Sequence, residues 1–378
     1  MSTAAPTREE LLPHMSAALD FAARQAQRIL RKYPGYSPMY TVEGRWGREG
    51  ERWTHWCEGF FPGILWLLHK HTGDAAWREP AERYSRALEP RRHDRSVHDL
   101  GFLFLSTHMR WYHLTGDHCL REILIEAGRT LALRRQKGGY LASFIGPESL
   151  FIDIMMNVGI IFWAANATGD ESLRNIALEH CRTTARYLVR PDGGTAHEGL
   201  FDPETGQFLR ESTHQGYSPS STWSRGLAWA IYGFTAAARM SGEAEFLDVA
   251  RRCADHYLRR TNEGDVVPLW DFDAPAGTWL VWDSSAGAIA ASGLWDLSEQ
   301  VSDPAQRDRY QAAALRTLGR LCHETFLPVN RPEWEGILMH GVYHYHKGLG
   351  VDESVAWGDH FFVEALVKAT AGRSEAAW

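Results

Sequence analysis

Thr168-Gly169-Asp170 is the stretch on which the fold turns. It separates an apolar run, residues 152–167, from a run with a charged face, residues 171–188. Glycine accepts the left-handed conformation that closes a helix. Aspartate can take the first free amides of the next helix, so the tripeptide reads as a tight helix-to-helix turn. Thr72-Gly73-Asp74, Thr115-Gly116-Asp117 and Ser241-Gly242-Glu243 repeat the mark, and Ser302-Asp303-Pro304 and Ala371-Gly372 are weaker copies. Between the marks, residues 56–71, 99–114, 152–167, 223–240, 284–300 and 353–369 read as strongly apolar helices. Residues 9–32, 75–88, 118–133, 171–188, 244–259 and 304–325 read as helices with a charged face. A helix apolar nearly all round is buried, and an amphipathic one lies outside it. Six inner helices ringed by six outer ones make an all-α fold, an (α/α)6 barrel of six hairpins. An open solenoid is the alternative. Six units without a polar terminal cap favour closure. No linker or low-complexity stretch interrupts the chain, so residues 1–378 read as one domain.

Composition narrows the function. A net charge of −7 argues against a nucleic-acid binder. No apolar run reaches the length of a membrane span, and residues 1–10 lack the apolar stretch of a secretory signal. Cys57, Cys119, Cys181, Cys253 and Cys322 are odd in number and widely spaced, which fits neither a disulfide framework nor a zinc site. Free thiols in a reducing cytoplasm are the expectation. Sixteen Trp are more than packing alone asks for. Most are expected in the core and a handful in a cleft, where flat aromatic faces suit sugar rings.

Two stretches carry the chemistry. In Ser149-Leu150-Phe151-Ile152-Asp153-Ile154-Met155-Met156-Asn157 and in Val97-His98-Asp99-Leu100-Gly101-Phe102-Leu103-Phe104, a lone Asp interrupts an apolar run. Burial disfavours the charged form, so such a carboxyl titrates above its reference of about 3.9, as a general acid near neutral pH requires. The competing reading is a buried Asp that caps a helix. Two such carboxylates point to acid and base work on a sugar. Every expected inner helix starts beside a polar or aromatic cluster: residues 53–58, His98-Asp99, Asp153, residues 220–225, Asp283-Ser284-Ser285 and Asp352-Glu353-Ser354. In a barrel of hairpins these starts share one mouth, toward which the positive helix ends point. Asp283 and Asp352 are expected as helix caps. The long connections 189–222, 260–283 and 327–352 are expected to shape the mouth. Trp223, Arg225 and the donors of residues 215–224, with Thr195-Ala196-His197, form a candidate uronate pocket, since Arg reads carboxylates in bidentate fashion. A structural ion pair is the other reading of Arg225. His344-Tyr345-His346 could mimic a metal pair but has no surrounding ligand set, so no metal or organic cofactor is expected.

These stretches, together with Gly59-Phe60-Phe61-Pro62-Gly63, Arg190-Pro191-Asp192-Gly193-Gly194-Thr195-Ala196-His197, Gln215-Gly216-Tyr217 and Trp270-Asp271-Phe272-Asp273, stand in family order along residues 53–366. In this ordered set the chain resembles the unsaturated glucuronyl hydrolases, glycoside hydrolase family 88. The resemblance implies the same (α/α)6 barrel. It implies Asp153 as acid/base and Asp99 as its partner. Contacts to the unsaturated uronate are implied for His98, His197, Gln215, Trp223, Arg225 and Trp229, with Trp53 or Trp56 at the mouth. Pro219 stands where many relatives carry an acidic residue, and Leu227 often corresponds to Gln, which bears on the neighbouring subsite. The implied reaction is hydration of the C4=C5 vinyl ether that a polysaccharide lyase leaves, with release of the aglycone. The implied partner is an unsaturated uronic-acid oligosaccharide, acted on by a monomer or homodimer. An unsaturated rhamnogalacturonyl hydrolase, a sugar epimerase on the same barrel and an inverting glycosidase are the rival readings.

Overall fold

The short turns form as their residues demand. Gly73, Gly116, Gly169 and Gly242 are left-handed, with φ of 69°, 66°, 70° and 76°. Asp74, Asp117 and Asp170 then accept from the amides of Ala76, Cys119 and Ser172, which lack partners within their own helices. Asp303 caps Ala305 in the same way. The computed structural model describes residues 6–47, 55–262, 265–275 and 281–372.

Outer and inner helices alternate along the chain. α1 (Arg8–Lys32) lies outside and α2 (Phe60–Thr72) inside, followed by α3 (Arg78–Leu88) outside. The next inner helix comes in two pieces, α4 (Leu100–Phe104) and α5 (His108–Thr115), before the outer α6 (His118–Ala132). Then come α7 (Gly159–Thr168), α8 (Glu171–Tyr187), α9 (Ser224–Ser241), α10 (Ala244–Asn262), α11 (Ser284–Gln300), α12 (Pro304–Leu321) and α13 (Ala356–Ala371), inner and outer by turns. α1 buries Met15, Ala18, Leu19, Ala22, Ala26 and Ile29 at helical spacing, whereas α13 buries every residue from Ala356 to Ala369. Each inner helix packs on the next, and α13 returns onto α2. That return closes the ring and excludes the open solenoid. Two glycines permit close passes between inner elements: a Cβ on Gly59 would lie 2.4 Å from the Phe102 carbonyl oxygen, and one on Gly101 2.4 Å from the Asn157 Cα. Among the described residues, no helix is long and apolar enough to cross a membrane.

The inner helices depart from the expected bounds. The second breaks at Thr107, which has non-helical φ −120° and ψ −84° and whose hydroxyl takes the Leu103 carbonyl. The third opens with a 3-10 turn, Ile152–Met156, and becomes α-helical only at Gly159. The last starts at Ala356, because the residues before it form a strand.

Two small sheets, unforeseen in the sequence, are built from the long outer-to-inner connections. β1 (Ser149–Phe151), β2 (Glu198–Phe201) and β3 (Phe208–Ser212) are antiparallel in that order. β4 (Gly341–His344) and β5 (Leu349–Glu353) form a hairpin. Asp283 caps α11 through the Ser285 amide, as expected. Asp352 does not cap. It sits in β5 at φ 62°, and its carboxylate bonds His340 Nδ1 at 2.5 Å. Backbone pairing with β4 has claimed that segment, so no helix starts there.

Candidate active site

Sheet pairing places the first carboxylate. Phe151 pairs with Glu198, and the Ile152 amide donates to the His197 carbonyl at 3.0 Å. The chain then turns, and Asp153 projects from the 3-10 segment with 14% of its side chain exposed. Its Oδ1 has no hydrogen-bond partner among the described residues. Burial lifts this carboxyl to about 7, against the pull of the Arg225 cation. His197 Nε2 lies 3.9 Å from Oδ1. The other ring nitrogen, Nδ1, accepts the amides of His214 and Gln215 at 2.9 and 3.1 Å. Burial holds the imidazole well below its usual range, so it is neutral, and its one proton sits on Nε2, facing Asp153.

The second carboxylate repeats the arrangement. Asp99 occupies the cap position of α4, yet its side chain makes no capping bond. Asn157 Oδ1 accepts the Phe102 amide at 2.7 Å instead, so Asp99 is left for the cleft. The capping reading of Asp99 therefore fails. Burial, reinforced by Asp153, raises its carboxyl well above the usual range. His98 Nδ1 accepts the Phe144 amide at 3.0 Å, which puts its proton on Nε2, 3.3 Å from Asp99 Oδ1. Each carboxylate thus faces a neutral imidazole N–H.

A fully buried cation beside them is already held. Arg225, in the first turn of α9, is 1% exposed. Its Nη1 donates to Asp283 Oδ2 at 3.0 Å and to the Val342 carbonyl, and its Nη2 to Gln215 Oε1 at 2.5 Å and the Tyr343 carbonyl at 2.9 Å. The structural ion-pair reading of Arg225 is thus realised through Asp283. Because the Gln215 oxygen is taken, its NH2 is the end left for a ligand. Trp223 touches both Arg225 and His197: the guanidinium lies 4.5 Å over its ring, and the His197 ring is 4.6 Å away, tilted by 57°.

The sequence profile of Glycosyl Hydrolase Family 88 matches residues 22–264. The chain belongs to that family. It is 37% identical over 333 residues to an unsaturated glucuronyl hydrolase of Bacillus sp. (strain GL1), covering 84% of this chain and 87% of that one. It is 32% identical over 329 residues to an unsaturated chondroitin disaccharide hydrolase of Streptococcus pyogenes serotype M1, covering 83% and 81%. The crystal structure of an unsaturated glucuronyl hydrolase from Bacillus sp. GL1, responsible for the degradation of glycosaminoglycan, superposes with a TM-score of 0.88. That match has 33% identity and covers 95% of this chain and 97% of that one.

In this family 88 chain the parts converge on one cleft. Of the residues singled out in the sequence, Trp56, His98, Asp99, Asp153, Gln215, Trp223, Arg225 and Trp229 line it. His197 stands beside Asp153. Trp53 lies outside the described residues. Among the described residues, three Trp line the cleft: Trp56, Trp223 and Trp229. Phe102, Phe144, Phe151 and Tyr343 complete the walls. Phe102 and Phe151 sit in the two carboxylate stretches, where their neighbours were signal enough. Tyr343 comes from β4 and carried no signal in the sequence. The His344 and His346 rings lie 6.2 Å apart at 75°, and His344 faces His214 at 5.3 Å. Among the described residues, no group of three or more His, Cys, Asp or Glu could hold a metal ion. What the arrangement offers is a proton donor active near neutral pH, an N–H ready for the anion it becomes, and flat aromatic walls.

Proposed function

We propose that this family 88 enzyme hydrates the C4=C5 double bond of the terminal unsaturated uronate on oligosaccharides left by polysaccharide lyases, releasing the aglycone sugar. One observation carries the reading: the Asp153 carboxyl, lifted by burial to about 7, faces a neutral His197 N–H with its Oδ1 unpartnered among the described residues. Asp153 gives that proton to carbon 4 of the vinyl ether. Positive charge develops at carbon 5 and the ring oxygen, and water adds to carbon 5. The resulting hemiketal opens and frees the aglycone. The His197 Nε2–H stabilises the Asp153 carboxylate formed in the first step, and that carboxylate then assists the water. Asp99, with His98, holds the second acidic site against the sugar. Trp56, Trp223 and Trp229 take the ring faces, and the Gln215 amide, braced by Arg225, donates to the uronate. Its similarity to an unsaturated glucuronyl hydrolase and to an unsaturated chondroitin disaccharide hydrolase supports unsaturated glucuronyl and chondroitin disaccharides as the substrate class. Residues 1–378 act as one catalytic domain, as a monomer or homodimer, in the cytoplasm, where free thiols persist.

The test is direct. The conjugated double bond absorbs in the ultraviolet, and hydration destroys it. Added enzyme is expected to bleach unsaturated disaccharides from chondroitin, hyaluronan or heparin lyase digests. Preserved absorbance across such a panel, with activity on saturated chains, would return the reading to an ordinary glycosidase.

A further inference from the structure

A cation beside a general acid is a liability, because it favours the ionised form of the acid. Arg225 is such a cation, and it works against the burial that keeps Asp153 protonated. The structure shows what restrains it. Asp283 is fully buried and divides its two oxygens. Oδ1 accepts from the Ser285 amide at 3.1 Å and the Ser285 hydroxyl at 2.5 Å, which fixes the carboxylate to the start of α11. Oδ2 receives Arg225 Nη1 at 3.0 Å. On its other side, Arg225 braces Gln215. Asp283 and Arg225 thus form one rigid unit behind the cleft, and Gln215 is its tip.

We propose that Asp283 is a positioning residue for the reaction: it fixes Arg225 so that the Gln215 amide is aimed at the cleft, and it neutralises the guanidinium beside Asp153. The proposal rests on the hydration reading above. The titratable and charged groups around Asp153 and the His197 that faces it come from several elements: His98 and Asp99 ahead of α4, His197 ahead of β2, His214 after β3, His344 from β4 and Arg225 from α9. Arg225 is the cation in this set that Asp283 can balance.

A double-mutant cycle of Asp283→Asn, Arg225→Gln and the pair tests it, with kcat and KM followed against pH on an unsaturated disaccharide. Asn keeps the shape and the bond to the Ser285 amide but removes the counter-charge. Asp283→Asn is expected to move the alkaline limb of the rate profile about one pH unit lower and to raise KM. Arg225→Gln is expected to move that limb higher, and the double variant to return it near the wild-type position. Shifts of opposite sign are something a purely structural ion pair does not produce. Loss of melting temperature in both single variants with unmoved limbs would overturn the proposal. If Asp283→Asn does not fold, Arg225→Gln and the double variant still decide, because an unmoved limb in both overturns it. A wild-type enzyme that leaves the double bond intact would defeat the hydration reading itself. An active wild type with unmoved limbs in the variants would defeat only the role of Asp283.

Discussion

His197 and Asp153 meet where the three-stranded sheet ends, with Nε2 3.9 Å from Oδ1 and the opposite ring nitrogen occupied by two main-chain amides. That occupation fixes the tautomer, since an imidazole nitrogen that accepts a hydrogen bond carries no proton. The Nε2–H is therefore a permanent donor, loose while Asp153 is protonated and able to tighten once it is charged. His197→Phe keeps much of the ring volume and removes the donor. It is expected to lower kcat about 100-fold, in the range of a lost oxyanion donor. Without the donor the ionised form of Asp153 is less favoured, so the alkaline limb is expected to move upward. A lower rate with the limb unmoved would place His197 in the wall rather than in the chemistry.

Asp153→Asn is expected to fold and to lose about 100- to 10,000-fold in kcat. In the wild type, kcat/KM is expected to fall as pH rises through about 7, where Asp153 loses its proton. The same variant carries a stability prediction. The folded chain holds a proton that the unfolded chain has lost between the ordinary 3.8 and about 7, so wild-type stability declines as pH rises through that window. Above it the buried carboxylate is a standing cost, which Asn removes. Melting temperatures are expected to be several degrees higher for Asp153→Asn at pH 8, and to converge toward pH 4. A variant less stable than wild type at pH 8 would show that the charge is better accommodated than its burial implies.

Local chemistry explains what was readable in the sequence. Gly169 and Asp170 make a turn whatever lies far away, and a lone Asp153 among Ile and Met announces desolvation by itself. The partner of Arg225 was hidden, because Asp283 is 58 residues distant and reads equally well as a cap. Asp99 showed the converse problem. Its cap position was legible, but Asn157, 55 residues beyond the amide it accepts, had taken the capping task. The sheets were illegible for the same reason. β1 has three residues, and its register against β2 is set by pairing across the chain rather than by any alternation of its own. Asp352 was misread because a cap and a hairpin position can carry the same residues.

Away from the cleft, Lys368 closes a buried charge cluster. It lies three turns along α13, about 18 Å from the start of that helix. Its ammonium donates to Ser292, Asp296 and Glu364 at 2.9, 2.8 and 2.8 Å, and Arg110 reaches the other Glu364 oxygen at 2.6 Å. Burial alone would raise Glu364, but Lys368 and Arg110 together hold it well below the usual carboxylate range. Lys368→Met leaves two buried carboxylates without that counter-charge and is expected to cost about 3–5 kcal/mol of stability. A depressed carboxyl contributes stability above its unfolded value and loses it as pH falls, so the wild type is expected to weaken steeply on acidification and the variant less so. Denaturant titrations at neutral and acidic pH check both expectations.

The last prediction concerns where the new atoms go. An ordinary glycosidase sets two carboxyl groups about the bond it breaks and protonates the leaving oxygen. Here the acid that keeps its proton near neutral pH, Asp153, sits beside a His197 donor and the Gln215–Arg225 brace, an arrangement suited to holding the uronate ring itself. The proton is therefore expected at carbon 4 and the water oxygen at carbon 5, with no attack on the glycosidic carbon. Turnover in heavy water is expected to place deuterium at carbon 4, and turnover in labelled water to leave the aglycone hydroxyl with its original oxygen. Because the aglycone departs only when the hemiketal opens, kcat is expected to change little as the leaving group is varied. Product with only the original hydrogen at carbon 4, read by NMR, would exclude hydration. A steep dependence on leaving-group acidity would point to direct cleavage.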